Sequence, residues 1–196
     1  MDKLLLASTS PTRKKILINA GIEFFNKKPS IDEEHEKKKL RNIKKPETIC
    51  QSLAKKKSLL TSKENPAFYV LGVDTCLIYK KNFLSKPKTK KKAKELLLML
   101  NGKKHKIYSS LYISKKGKVI WHYNDEATLK IRNLTNNEMD NYINKLKLKK
   151  MRQSGLYQIE DLGITLFESI KGSYFTILGL PLMPLLKFLE KKRIKF

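Results

Sequence analysis

Only two cysteines occur among the 196 residues, Cys50 and Cys76. Neither stands in a C-x-x-C or mixed Cys/His spacing, which argues against a disulfide framework and a zinc site and reads both as buried free thiols of a reducing compartment. Long hydrophobic runs are equally scarce. Leu4-Leu5-Leu6-Ala7 stops at Ser8, and no stretch reaches the about 18 apolar residues of a membrane span. A soluble, cytoplasmic protein with no membrane partner is the expectation. The three histidines, His35, His105 and His122, have no partner spacing, and no serine sits in a nucleophile-elbow or triad setting, so acyl-transfer hydrolysis finds no support. Acidic charge is the last scarcity: 18 Asp and Glu stand against 43 Lys and Arg, a formal net charge of +25.

Such a field attracts polyanions: nucleic acid, an anionic membrane surface, or a phosphate-rich small substrate. The alternative is a lysine-rich surface that is merely solvated. The lysines are spread from Lys14-Lys15 through Lys55-Lys56-Lys57 and Lys90-Lys91-Lys92 to Lys191-Lys192, unlike a dedicated basic tail. No nucleic-acid motif and no aromatic interleaving accompany these runs. A chain of this length buries roughly two-thirds of its unfolded surface, and a single domain over residues 1–196 is expected.

The pattern of elements predicts an α/β fold with a mixed central sheet flanked by helices. Leu4–Ala7 reads as a strand and Ile16, Leu17 and Ala20 as a helix face. Ser10 is placed to cap that helix, Pro11 suits its first turn and Gly21 its end. Residues 22–25 read as a second strand, Asp32-Glu33-Glu34 as a polar loop, and a helix opens at Pro46 and runs to about Leu60. The apolar run 68–73 reads as a central buried strand ending at Asp74-Thr75, with residues 76–79 as its continuation or hairpin partner. Ala93, Leu96, Leu97 and Leu100 make a helix, and residues 105–113 and 119–131 make two strands joined at Lys115-Lys116-Gly117-Lys118. Thr135 and Glu138 form a capping box, residues 164–167 read as a strand, and residues 182–189 as the last helix.

Polar groups at the ends of apolar strands mark three places for chemistry: Ser8 to Arg13, Asp74-Thr75, and Tyr157 to Glu160. Hydroxyls and a guanidinium before a helix N-terminus suit a phosphate, though serine-rich caps are also commonplace. A carboxylate after a run as apolar as 69–73 is costly unless paired, capped or metal-bound; a plain turn residue is the alternative. Asp32-Glu33-Glu34 and Glu160-Asp161 offer oxygen ligands to a hard cation, or are simply solvated loop acids.

The order of several segments carries a resemblance. Leu6-Ala7-Ser8-Thr9-Ser10-Pro11-Thr12-Arg13 resembles the LASxSPRR signature of the Maf family of nucleotide pyrophosphatases. Asp32-Glu33, Leu53-Ala54-Lys55-Lys56-Lys57, Gly72-Val73-Asp74-Thr75, Lys86-Pro87, Asn101-Gly102-Lys103-Lys104-His105, Gly155-Leu156-Tyr157-Gln158-Ile159-Glu160 and Gly179-Leu180-Pro181 look like that family's further segments, in its order. The resemblance implies a two-lobed fold with a long cleft, similar to the inosine-triphosphate pyrophosphatases. It implies a metal-dependent hydrolase of the nucleotide diphosphatase class that cuts nucleoside triphosphates to the monophosphate and pyrophosphate. House-cleaning of nucleotides, a link to cell-division arrest and a homodimer are further implications.

Carried over by position, Asp74 would be the proton acceptor. Ser8, Ser10, Arg13, Lys57, Thr75 and Lys86 would bind substrate phosphate, and Glu33, Asp74 and Glu160 would hold Mg²⁺ or Mn²⁺. Thr12 departs from the family's first arginine. Glu160 and residues 164–168 look like the 7-methyl-GTP branch, whereas Asp74-Thr75 looks like the dTTP/UTP branch. A basic nucleic-acid-binding or regulatory protein on the same fold is the alternative reading.

Overall fold

The structure is a computed structural model that describes residues 3–39 and 45–194. Its centre is a seven-stranded mixed sheet. Strands β1 (Lys3–Ala7), β2 (Phe24–Lys27), β3 (Phe68–Tyr79), β5 (Lys104–Lys115), β6 (Lys118–Ile131) and β7 (Phe167–Lys171) lie in the order β2-β1-β3-β5-β6-β7, and β4 (Asn82–Leu84) pairs with the end of β3. β1 is parallel to both β2 and β3, and all other pairings are antiparallel. Leu4 to Ala7 are all buried, as a parallel strand covered on both faces requires.

Helices flank the sheet: α1 (Pro11–Asn19), α2 (Glu33–Lys39), α3 (Pro46–Glu64), α4 (Lys90–Leu100), α5 (Asn136–Lys145), α6 (Leu148–Ser154), α7 (Tyr174–Ile177) and α8 (Leu182–Lys191). Ser10 caps α1 with Pro11 in its first turn, and the Thr135–Glu138 capping box opens α5, both as the sequence predicts. One hydrophobic cluster gathers Leu4, Leu6, Leu17, Leu71, Leu111, Ile113, Leu185 and Leu189; a second gathers Leu97, Leu100, Ile107, Leu129, Ile131, Met139 and Tyr142. β5 contributes to both, Leu111 and Ile113 to the first and Ile107 to the second. No helix among the described residues is long and apolar enough to cross a membrane.

Of the two readings of residues 76–79, the continuation holds and the hairpin partner does not, and two other expectations are corrected. β3 runs through Asp74-Thr75 to Tyr79 because residues 74–78 keep pairing with residues 106–110 of β5. What ends there is the parallel part, since β1 stops pairing at Ala7 opposite Gly72. Of residues 164–167, only Phe167 lies in a strand. Leu162–Leu166 form a 3-10 helix, because the Gly163 and Ile164 amides donate to the Gln158 and Asp161 carbonyls, and β7 begins only at Phe167. Glu33 and Glu34 belong to the first turn of α2, not to a loop, since the Asp32 carboxylate accepts the His35 amide at 3.0 Å.

Candidate active site

The site forms where the parallel part of the sheet stops, the place where α/β folds gather ligands. Just beyond the last β1–β3 pair, Asp74 is buried in β3, and α3 crosses that strand at very short range. Gly72 permits the approach: a Cβ there would lie 2.3 Å from the Ala54 carbonyl oxygen and 2.5 Å from the Ser58 amide nitrogen. The helix therefore lays Lys57 against the strand. Its ammonium donates to Asp74 Oδ1 at 2.7 Å and meets Glu33 Oε1 at 2.9 Å. Lys57 is 4 % exposed and Asp74 7 %, so this is a buried ion pair. Removing one partner of such a pair costs about 3–5 kcal/mol. Burial alone lowers the Lys57 pKa, but the Asp74 and Glu33 carboxylates outweigh it and hold the ammonium above its ordinary value.

The loop from β1 to α1 supplies the second part. Ser8 is buried, and its Oγ accepts from the Ser10 amide and from Arg13 Nη1, each at 3.2 Å. Ser10 Oγ accepts the Arg13 amide at 3.4 Å. Arg13 also donates from Nε to the Gly179 carbonyl at 2.9 Å, from Nη1 to the Val73 carbonyl at 3.1 Å and from Nη2 to Thr75 Oγ1 at 3.0 Å. Burial pulls its pKa below the usual arginine value while Asp74 pushes it back up.

These groups line one open pocket of about 1010 Å³, together with Lys86, Lys88 and Lys92. Lys86 precedes the buried Pro87, which fixes the backbone at the rim. Desolvation, followed by the positive charges of Arg13 and Lys57, lowers the Lys86 pKa to about 8 although part of the residue reaches solvent.

Ser8, Ser10, Arg13, Glu33, Lys57, Asp74, Thr75, Lys86 and Glu160 thus all face the same pocket. Their arrangement within it is uneven. Glu33 and Asp74 converge on Lys57, whereas exposed Glu160 stands at a rim shared with a smaller pocket of about 280 Å³ lined by Thr12, Lys15 and Tyr174. Among the described residues, no three acidic, histidine or cysteine side chains gather at one point. Two carboxylates within reach of one nitrogen still suit a magnesium-type cation, which takes one or two protein carboxylates and completes its shell with water and substrate phosphates.

Ser109 was missed by the sequence reading. Its hydroxyl lies 2.9 Å from Thr75 Oγ1, behind the pocket, and it is fully buried. The signal was the polar pair Ser109-Ser110 inside the otherwise apolar stretch 107–113.

The model of the family described as Maf-like protein matches residues 3–192. A nucleoside triphosphate pyrophosphatase of Pelagibacter ubique (strain HTCC1062) is 36% identical over 191 residues, covering 97% of this chain and 98% of that protein. A 7-methyl-GTP pyrophosphatase of Brucella abortus biovar 1 (strain 9-941) is 37% identical over 192 residues, covering 97% and 96%. A nucleoside triphosphate pyrophosphatase of Rhodopseudomonas palustris (strain BisB18) is 36% identical over 191 residues, covering 97% and 94%.

Proposed function

Because the chain belongs to the Maf-like protein family, we propose that it is a hydrolase of acid anhydrides that cuts nucleoside triphosphates between the α and β phosphates, releasing the monophosphate and pyrophosphate. The observation that carries the reading is the convergence of Lys57, Asp74 and Glu33 in a pocket that Arg13 and Lys86 also line. A triphosphate needs its charge neutralised before water can reach an α-phosphorus, and three cations within one pocket offer that.

Asp74 is the proton acceptor for the attacking water, held in orientation by the Lys57 ammonium at 2.7 Å. Ser8, Ser10, Arg13, Lys57, Thr75 and Lys86 contact the substrate, chiefly its phosphates. Glu33 and Asp74, with Glu160 from the rim, would hold a divalent cation, Mg²⁺ or Mn²⁺, which supplies charge stabilisation to the departing pyrophosphate. The chain acts as a cytoplasmic homodimer of single-domain protomers, in nucleotide house-cleaning.

Pyrophosphate release with Mg²⁺ or Mn²⁺ across dTTP, UTP, CTP, GTP, 7-methyl-GTP and inosine triphosphate tests the reading. Turnover of at least one is expected; folded protein that releases none would sink it. Asp74→Asn should lower kcat by about a hundredfold to ten-thousandfold, the usual contribution of a positioned general base. Full activity in that variant would remove Asp74 from its role.

A further inference from the structure

Lys57 joins the two carboxylates that a divalent cation would use. Its ammonium donates to Asp74 Oδ1 at 2.7 Å and lies 2.9 Å from Glu33 Oε1, and only 4 % of the residue is exposed. One oxygen of each carboxylate is therefore already held by a positive charge. A divalent ion shared by the same two carboxylates would lie within a few ångströms of the ammonium, and like charges that close repel strongly away from bulk water.

The surrounding charge works in the same direction. Arg13 and Lys86 line the pocket beside Lys57, close enough for both carboxylates to act on them. The pocket as a whole also holds more positive groups than negative ones. A bare divalent cation adds to the charge already in excess, whereas a nucleoside triphosphate carrying its cation is negative overall and offsets it. The two carboxylates differ in freedom: Glu33, in the first turn of α2, has a side chain 41 % exposed, while Asp74 is buried in β3. An ammonium has three N–H donors, so Lys57 can release Glu33 and turn toward a phosphate while it keeps Asp74.

We propose that Lys57 closes Glu33 and Asp74 against a divalent cation in the free protein, and that a bound triphosphate draws the ammonium off Glu33, so that Glu33 becomes available to the metal only together with the nucleotide. The nucleotide half of this rests on the pyrophosphatase reading; the competition between ammonium and cation does not. Lys57 then serves both as a phosphate contact and as the gate of the metal site, and a free protein exposed to metal alone stays largely unloaded.

Mn²⁺ is the probe, and calorimetry of the full chain reads its binding without turnover. The wild type should bind Mn²⁺ alone weakly. Lys57→Met, or Lys57→Gln where the methionine variant does not fold, should bind it about tenfold or more tightly because the opposing charge is gone. Adding Glu33→Gln should abolish that gain, and Lys57→Arg, which stays charged, should bind as weakly as the wild type. Near-ultraviolet circular dichroism confirms that each variant is folded. Neutral variants that bind Mn²⁺ no better than the wild type overturn the gate, as does a gain that survives Glu33→Gln in full. In ¹⁵N spectra of the lysine ammonium groups, with Lys57→Arg to assign Lys57, magnesium tripolyphosphate should move the Lys57 signal and magnesium alone should leave it in place. A signal that magnesium alone moves as far, or that bound tripolyphosphate leaves unmoved, also overturns the proposal. A wild type that neither binds magnesium tripolyphosphate nor releases pyrophosphate sinks the pyrophosphatase reading instead, and the Mn²⁺ affinities then decide whether Lys57 excludes the cation.

Discussion

Lys86 holds its proton less firmly in the pocket than an ordinary lysine does. Burial and the neighbouring Arg13 and Lys57 charges set its pKa at about 8, down from 10.5. A phosphate arriving beside it favours the ammonium, so binding draws a proton onto Lys86 when the pH exceeds about 8. Affinity should therefore fall as pH rises through and above about 8, with kcat less affected. Lys86→Arg, which stays charged, should flatten the KM profile above that pH; a wild-type KM that stays level from pH 7 to about 10 refutes the role. Stability moves the other way. Between about 8 and 10.5 the unfolded chain holds the Lys86 proton that the folded chain has lost, so this group's destabilising effect is full below about 8 and fades as pH rises. The sequence offered Lys86 only through the Lys-Pro resemblance. Its lowered pKa comes first from desolvation in the folded pocket and then from charges on α1 and α3, far apart in sequence, which no local pattern reports.

At the scale of elements, the contact between α3 and β3 governs the site, and Gly72 governs that contact. Gly72→Ala would drive a methyl into the Ala54 carbonyl and the Ser58 amide, both backbone groups that cannot swing aside. Overpacking of this kind costs about 1–3 kcal/mol, and the helix must move in the direction that separates Lys57 from Asp74. Urea unfolding should show the loss, and turnover per folded molecule should fall as well. A variant as stable and active as the wild type would show that the two elements tolerate a wider gap. Part of this was readable beforehand. Lys57 follows Ala54 by three residues and Leu53 by four, so helical periodicity puts it on the apolar face, and both apolar residues are fully buried. The caps of α1 and α5 were readable for the same reason: they are local hydrogen bonds between residues three apart. The stretch 164–167 misled because its apolar residues suit a strand, whereas 162–166 form a 3-10 helix. The outcome was decided instead by the Gln158 carbonyl, which accepts the Gly163 amide, and by the close seat of Gly163 on the Gln158 backbone. The continuation of β3 was one of two open readings, and what the sequence did not show is why it holds: an aspartate in a buried strand is tolerable because Lys57 comes from α3 to meet it.

For the whole molecule the question is what a net charge of +25 does. The pocket holds little of it. Arg13, Lys28, Lys57, Lys86, Lys88 and Lys92 line it against Glu33, Glu34, Asp74 and Glu160, six positive groups and four negative. The remaining lysines are spread along the sequence from Lys3 to Lys192 and not gathered in one tail, and a net field of this kind acts on a polyanion during approach more than after docking. Such steering is screened: the Debye length falls from about 30 Å at about 0.01 M salt to about 3 Å at 1 M. With a nucleoside triphosphate that turns over, kcat/KM should fall by about tenfold or more across that range while kcat holds to about a factor of two. An equal loss in both would place the salt effect in the bound complex, and a flat kcat/KM would leave the charge without a role in catalysis. Single-stranded RNA added at low salt provides the contrast. If the same field served nucleic acid, RNA would bind tightly and with a steep salt slope, and it would do so equally in Asp74→Asn, whose surface is unchanged. Weak RNA binding beside a strong salt dependence of kcat/KM is the expected pair of results, because the lysine runs lack the interleaved aromatics that hold bases.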